Sequence, residues 1–244
     1  MKIKLTIAYD GTNYNGSQIQ PSFPTIQSKL MEAFQRINIQ TSFDFSGRTD
    51  KGVHAFRQIV SCDIPRYWDD LKRLTVVLNK QLPHTIQIRN IQKVDKNFHA
   101  RFSAIKREYR YLITKKKLSV FNSNYISHYN NIDEEKIKEA ISYFIGVHDF
   151  EFFSKKGSDP VSTVREIYNI RFYKYKDIYV LNFQANSYLR SQIRMIVDFI
   201  MKISSGKLTI KQLEEQLNKK ELISWTLAPA NGLYLSKILY KETL

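Results

Sequence analysis

Residues Lys2 to Asp10 alternate, with Ile3, Leu5, Ile7 and Tyr9 on one face, the period-two pattern of a half-buried strand. The rhythm changes in "PTIQSKLMEAFQRI", where Ile26, Leu30, Phe34 and Ile37 recur at helical spacing and Thr25 stands where it can cap the first turn. Strand-like "RQIVSCDI", a helix predicted from Asp69 to Asn79, and strand-like "IQIRNIQKV" complete an α+β half. The plan then repeats. "REYRYLIT" reads as a strand, and a helix from Asp133 carries Glu134 and Glu135 in its first turn and stops near Gly146. "REIYNIRFYKY" and "IYVLNFQAN" flank "KD" as a hairpin, and Leu189, Ile193, Ile196, Val197 and Ile200 form the apolar stripe of a longer helix ending near Gly206. Thr209 with Gln212 is a capping box for a shorter helix, and "GLYLSKILY" closes the chain in alternation.

Strands joined by hairpins or single helices predict antiparallel or mixed sheets of the α+β class. Two similar units are expected, dividing near residues 103 to 106, an N-terminal unit 1–104 and a C-terminal unit 105–244. No Gly/Ser linker separates them, so a continuous sheet or a tight interface is expected. The likeness of the halves is architectural, without a fixed-period repeat.

Composition narrows the class. The 244 residues are 43% hydrophobic and 13% aromatic, ample for a packed core, and 38 Lys and Arg against 23 Asp and Glu leave a net charge of +15. That excess favours a polyanionic partner such as RNA, DNA or an anionic membrane surface. No apolar run approaches the roughly 20 residues that span a bilayer. The opening "MKIKLTIAYDG" reads as a strand instead of a signal peptide, which points to the cytoplasm. The single Cys62 can form no internal disulfide or cysteine-rich zinc site, and the five histidines lack metal-ligand spacing, so no metal is expected.

The densest chemistry is "FSGRTDKGVHA", residues 45 to 55, where one carboxylate, Asp50, stands among Arg48, Lys51 and His54. An Asp-x-Gly turn accounts for the acid and Gly52 but not for the cations. A guanidinium neighbour favours the ionised carboxylate, which suits a nucleophile or base and not a general acid. Glycosidases usually use two carboxylates, and no second one accompanies Asp50 in its loop. Further on, Arg101, Lys106, Arg107, Arg110 and Lys115 to Lys117 interleave with Phe102, Tyr109 and Tyr111. Cations for phosphates and flat rings for bases make a nucleic-acid surface, Arg107 among its contacts; a solvated strand face with buried rings competes, and is preferred for Tyr111.

The chain resembles the tRNA pseudouridine synthase A family nearly end to end. The resemblance is carried by "AYDGTNYNGSQIQ" (8 to 20), "FSGRTDKGVHA", "FHARFSAIKREYRY" (98 to 111), "GVHDFEFF" (146 to 153), "STVREI" (162 to 167), "SYLRSQIRMIV" (187 to 197) and "APANGLYLSKILY" (228 to 240). It implies that Asp50 is the catalytic aspartate that lets uracil leave its ribose, turn and rejoin through C5, with no cofactor and no metal. Arg194 would pair with Asp50, and Tyr109 would stack on the target base and assist proton removal at C5. Arg48 would enter the RNA and hold the flipped nucleotide out of the stack. Leu235 would line the uracil pocket, with a core strand position as the competing reading, and His54 would touch phosphate or order the loop.

The fold so implied is two ferredoxin-like or RRM-like units in a long, mostly antiparallel sheet with the cleft between them. A homodimer whose basic grooves hold tRNA is implied too, acting on several neighbouring uridines of the anticodon stem-loop. Ser17, Gln192 and Asp198 stand where the family usually has tryptophan, methionine and glycine. None is expected to touch the chemistry, Ser17 and Gln192 altering loop packing or RNA contacts. The same chemistry on another structured RNA, or RNA binding without catalysis, are the competing functions; the second leaves Asp50 unexplained, since a phosphate-binding surface gains nothing from an anion.

Overall fold

The computed structural model describes residues 1–157 and 161–241. It is of the α+β class and comprises two compact units, Met1–Ile105 with the chain from Tyr234 onward, and Lys106–Leu233. The division at 104/105 expected from sequence left the last strand in the second half. Alternation marks a strand without naming its partner, and this one pairs in the first unit.

In the first unit the elements are β1 (Lys2–Tyr9), α1 (Ile26–Gln35), β2 (Asp44–Phe45), β3 (His54–Asp63), α2 (Leu71–Gln81), β4 (Ile86–Lys93) and, past the second unit, β10 (Leu233–Tyr240). Central β1 runs antiparallel to both β3 and β4, from Lys2↔Asp63 and Ile3↔Lys93. The short β2 adds to β3, and β10 lies parallel to it with Tyr234 opposite His54 and Leu235 opposite Ala55. The predicted inner face of β1 is the core, Ile3, Leu5 and Ile7 being fully buried and Tyr9 5% exposed. Ile26, Leu30 and Phe34 of α1 and Leu74 and Leu78 of α2 are buried with them. Thr25 caps α1 as expected, in a reciprocal box with Ser28. The second helix starts two residues later than predicted because Asp70, whose carboxylate takes the Arg73 N–H, is its cap.

The second unit holds β5 (Ala104–Thr114), β6 (Ser127–His128), α3 (Glu134–Tyr143), β7 (Gly146–Asp149), β8 (Val164–Tyr175), β9 (Ile178–Ala185), α4 (Gln192–Ser204) and α5 (Ile210–Leu217). Its main strands order β5-β9-β8-β7, all antiparallel, with β6 parallel to β5. The hairpin at "KD" joins β8 to β9, pairing Tyr175 with Ile178. The α4 helix begins at Gln192 and not at Leu189, since Ser191 sits at φ +58°, outside helical geometry. Among the described residues no helix is long and apolar enough to cross a membrane.

Candidate active site

Asp50 lies on the loop joining β2 to β3, where its main chain makes the turn that the sequence suggested. The Asp50 carbonyl accepts the Val53 N–H (3.2 Å), and Gly52 between them takes φ +77°, a conformation that strains any residue with a Cβ. The Gly52 N–H reaches back to the Tyr14 carbonyl (3.3 Å), and Gln58 Nε2 donates to the Gly47 carbonyl (2.7 Å) at the other end of the loop. Asp50 is half-buried, and Arg48 and Lys51 are exposed beside it.

Thr49, the residue before Asp50, is held on three sides. Its N–H donates to Ser17 Oγ (2.9 Å), its carbonyl accepts the Ser17 N–H (3.1 Å), and its hydroxyl meets the Tyr9 hydroxyl at 2.9 Å. Burial pushes the Tyr9 phenol up to about 12, so this contact stays neutral at physiological pH. Neighbouring Gly16 has φ +91°, and a Cβ there would stand 2.5 Å from the Thr49 carbonyl oxygen, so the two chain segments touch backbone to backbone. The Ser17 carbonyl also accepts the Gln27 N–H (3.0 Å) in the first turn of α1, which ties the helix to the loop. Of the two roles expected for Ser17, loop packing or an RNA contact, the structure shows loop packing: it is fully buried and grips the aspartate loop.

The other candidates of this unit lie close by. His54 opens β3 and is 2% exposed, its ring 4.7 Å from that of Tyr234. Its Nδ1 faces both the Gly11 N–H (3.0 Å) and Asp10 Oδ1 (3.2 Å). These contacts require opposite protonation of that nitrogen: a bare Nδ1 accepts from Gly11, and an Nδ1 that carries hydrogen donates to Asp10. Leu235 is fully buried opposite Ala55, next to the exit of the loop.

In the second unit Arg194 sits in the first turn of α4, half-buried. Its Nε donates to the Ala228 carbonyl (2.8 Å) and the Ala228 N–H donates to the Arg194 carbonyl (3.0 Å), which fixes the plane of the guanidinium. Asp198, one turn on, pairs with Lys202 (2.8 Å) and accepts from the Thr226 hydroxyl, while Lys202 donates to Ser224 Oγ (2.8 Å). Residues 224–228 thus form a strap tied to α4 at both ends, and Asp198 belongs to its fastening. Gln192, fully buried, accepts the Leu189 N–H (2.8 Å) and closes the turn before the helix, so it too is no RNA contact.

Tyr109 on β5 is 6% exposed and opposite Phe183, with the Tyr188 ring edge-on at 5.3 Å. The Tyr188 hydroxyl is buried with no hydrogen-bond partner among the described residues. Burial first, then Tyr109 and Glu108, push its pKa well up, so it remains a neutral donor. Arg107 is 8% exposed and donates through Nη1 to the Asn186 carbonyl (2.7 Å). Tyr111 is fully buried, as preferred from sequence, with its hydroxyl donating to the Pro229 carbonyl (2.8 Å). Thr49, Gly16 and Tyr188 lie within the quoted motifs but nothing in their residue type singles them out, and Ser17 stands out only by its departure from the usual tryptophan.

The sequence model of the tRNA pseudouridine synthase family matches residues 5–103 and 140–241, spans that contain Asp50 and Arg194. A tRNA pseudouridine synthase A of Campylobacter jejuni (strain RM1221) is 40% identical over 240 residues, covering 98% of this chain and 100% of the relative. Proteins of the same name from Wolinella succinogenes and Bacillus pumilus (strain SAFR-032) are 37% and 34% identical, each covering 98% of this chain and 94% and 99% of their own lengths. The chain belongs to the tRNA pseudouridine synthase family.

Proposed function

We propose that this protein isomerises uridine to pseudouridine in tRNA, with Asp50 as the catalytic carboxylate. The observation that supports the reading best is the family match through residues 5–103, together with the clamp that holds Thr49 and leaves the next side chain on a fixed turn. In the reaction the C1′–N1 bond breaks, the uracil turns, C5 bonds to C1′, and the C5 proton leaves as N1 gains one. Asp50 acts as a carboxylate, attacking the sugar or removing a ribose proton, and Arg194 is the guanidinium that pairs with it in the reacting complex. The Ala228 contact orients Arg194 for that duty.

The target nucleotide leaves its helix, because the glycosidic bond cannot be rearranged in a stacked, paired base. Exposed Arg48 holds the flipped state, Tyr109 contacts the base and takes part in proton removal at C5, and Leu235 borders the uracil. Arg107 and His54 order the segments that meet RNA. The substrate is the anticodon stem-loop, and the enzyme works in the cytoplasm as a homodimer without a cofactor. Carbodiimide mapping of pseudouridine in total RNA, with and without the protein, tests this. New sites in anticodon stem-loops are expected; new sites confined to other RNAs, or none, contradict it.

A further inference from the structure

We propose that the lysine-rich end of the second unit, where β5 runs out and the β8–β9 hairpin turns, grips the tRNA backbone away from the nucleotide being isomerised. The inference rests on the tRNA reading above and adds a second contact to it. Two stretches far apart in sequence meet here, Lys115 to Lys117 after β5 and Lys174 and Lys176 at the hairpin. Thr114 Oγ1 donates to the Asp177 carbonyl (3.0 Å), the Lys116 N–H donates to Thr114 Oγ1 (3.1 Å), and Lys116 Nζ pairs with Asp177 (2.7 Å). These bonds hold the end of β5 against the hairpin.

Its charge is left unbalanced. All five lysines are exposed, and Asp177 is already engaged by Lys116, whose hydrogen bond holds that carboxyl below its usual range. Lys115, Lys117, Lys174 and Lys176 have no carboxylate partner among the described residues. Moreover, Lys115 and Lys174 converge on one ring, their Nζ atoms 5.8 and 5.2 Å from the centroid of Tyr179, which Phe172 backs in a stack at 5.7 Å. Each ammonium is held beside the ring and keeps its charge, so a phosphate reaching either one meets an unneutralised cation. Lys176 lies 5.7 Å from the ring of Tyr175, which is 64% exposed. A solvated lysine fringe that merely protects a sheet edge needs neither the convergence nor the aromatic ring.

The place decides what is gripped. Lys115 is six residues beyond Tyr109, so the patch stands about 20 Å along the strand from the proposed base contact. At about 3.4 Å per stacked step that is roughly six nucleotides, too far to be held by the target itself. The occupant is therefore the phosphate backbone of the flanking stem.

The test replaces Lys115, Lys117, Lys174 and Lys176 together by Gln, and separately by Arg, leaving Asp177 and Lys116 in place. Affinity for tRNA is measured across salt concentrations alongside steady-state turnover. The Gln variant should lose kcat/KM through KM, about tenfold or more at physiological salt, and its log–log salt slope should fall by roughly one for each phosphate that is no longer neutralised; the Arg variant should restore both. An unchanged slope and KM in a Gln variant that still turns over would overturn the proposal and leave an acidic protein as the partner to seek. A loss confined to kcat would overturn it as well. Wild-type protein that forms no pseudouridine in tRNA defeats the functional reading instead, which keeps the two failures distinct.

Discussion

Ser17→Ala removes one oxygen from a site that touches no substrate, and its effect should nonetheless appear in turnover. Ser17 Oγ accepts the Thr49 N–H at 2.9 Å in a fully buried position, so alanine leaves that donor without a partner. An orphaned buried donor costs about 1–3 kcal/mol. The Ser17 N–H to Thr49 carbonyl bond and the Tyr9–Thr49 contact survive, so the loop remains attached but gains freedom beside Asp50. If that penalty is relieved by populating displaced loop geometries, kcat falls about five- to a hundredfold, since 1.4 kcal/mol is a factor of ten. KM should stay constant, because Ser17 faces no RNA. Steady-state release of tritium from C5 of uridine in tRNA reads kcat and KM, and thermal unfolding reads stability separately. Ser17→Thr keeps the oxygen and should recover most of the rate even where its extra methyl lowers Tm. An alanine variant with wild-type kcat, or a threonine variant as slow as alanine at equal Tm, would refute the reasoning.

Three further outcomes follow from the same geometry. Arg194→Lys loses the Nε bond to Ala228 and the planar fork, and should lower kcat by about 10- to 100-fold with little change in Tm; rate measurement beside calorimetry checks it. Gly16→Ala forces a Cβ to 2.5 Å from the Thr49 carbonyl at φ +91°, so it should lose both stability and turnover, and a fully stable, active variant would show that the segments can part freely. Tyr9 and Tyr129 are raised from 10.0, and Cys62 from 9.0, to about 12, chiefly by burial. A phenol with a raised folded pKa contributes fully below pH 10, and its contribution is lost as pH climbs to about 12, because the unfolded chain sheds a proton that the folded chain keeps. For Tyr9 the loss is about 2–3 kcal/mol. Urea midpoints should decline over that window, less steeply in Tyr9→Phe.

Local pattern made much of this legible. The β1 alternation, the Thr25 and Thr209 caps and the "KD" hairpin depend on neighbours within a few residues, and the structure places each as read. Pairings set by long-range topology left no trace in the sequence. One partner of β10 is a strand some 180 residues earlier, and Ser17 meets Thr49 across 32 residues. Lys115 and Lys174 both reach the Tyr179 ring only because β5, β9 and β8 lie side by side. The density of charge around Asp50 singles out its loop, but what fixes that loop is a buried serine that the family pattern marks only as an exception.

In the proposed reaction the carboxylate of Asp50 performs the chemistry and is not needed for RNA to bind. Asp50→Asn preserves size and the turn while abolishing the charge. Pseudouridine formation in tRNA should vanish in this variant while its tRNA affinity matches wild type at every salt concentration. Pseudouridine formed at the wild-type rate would contradict the account.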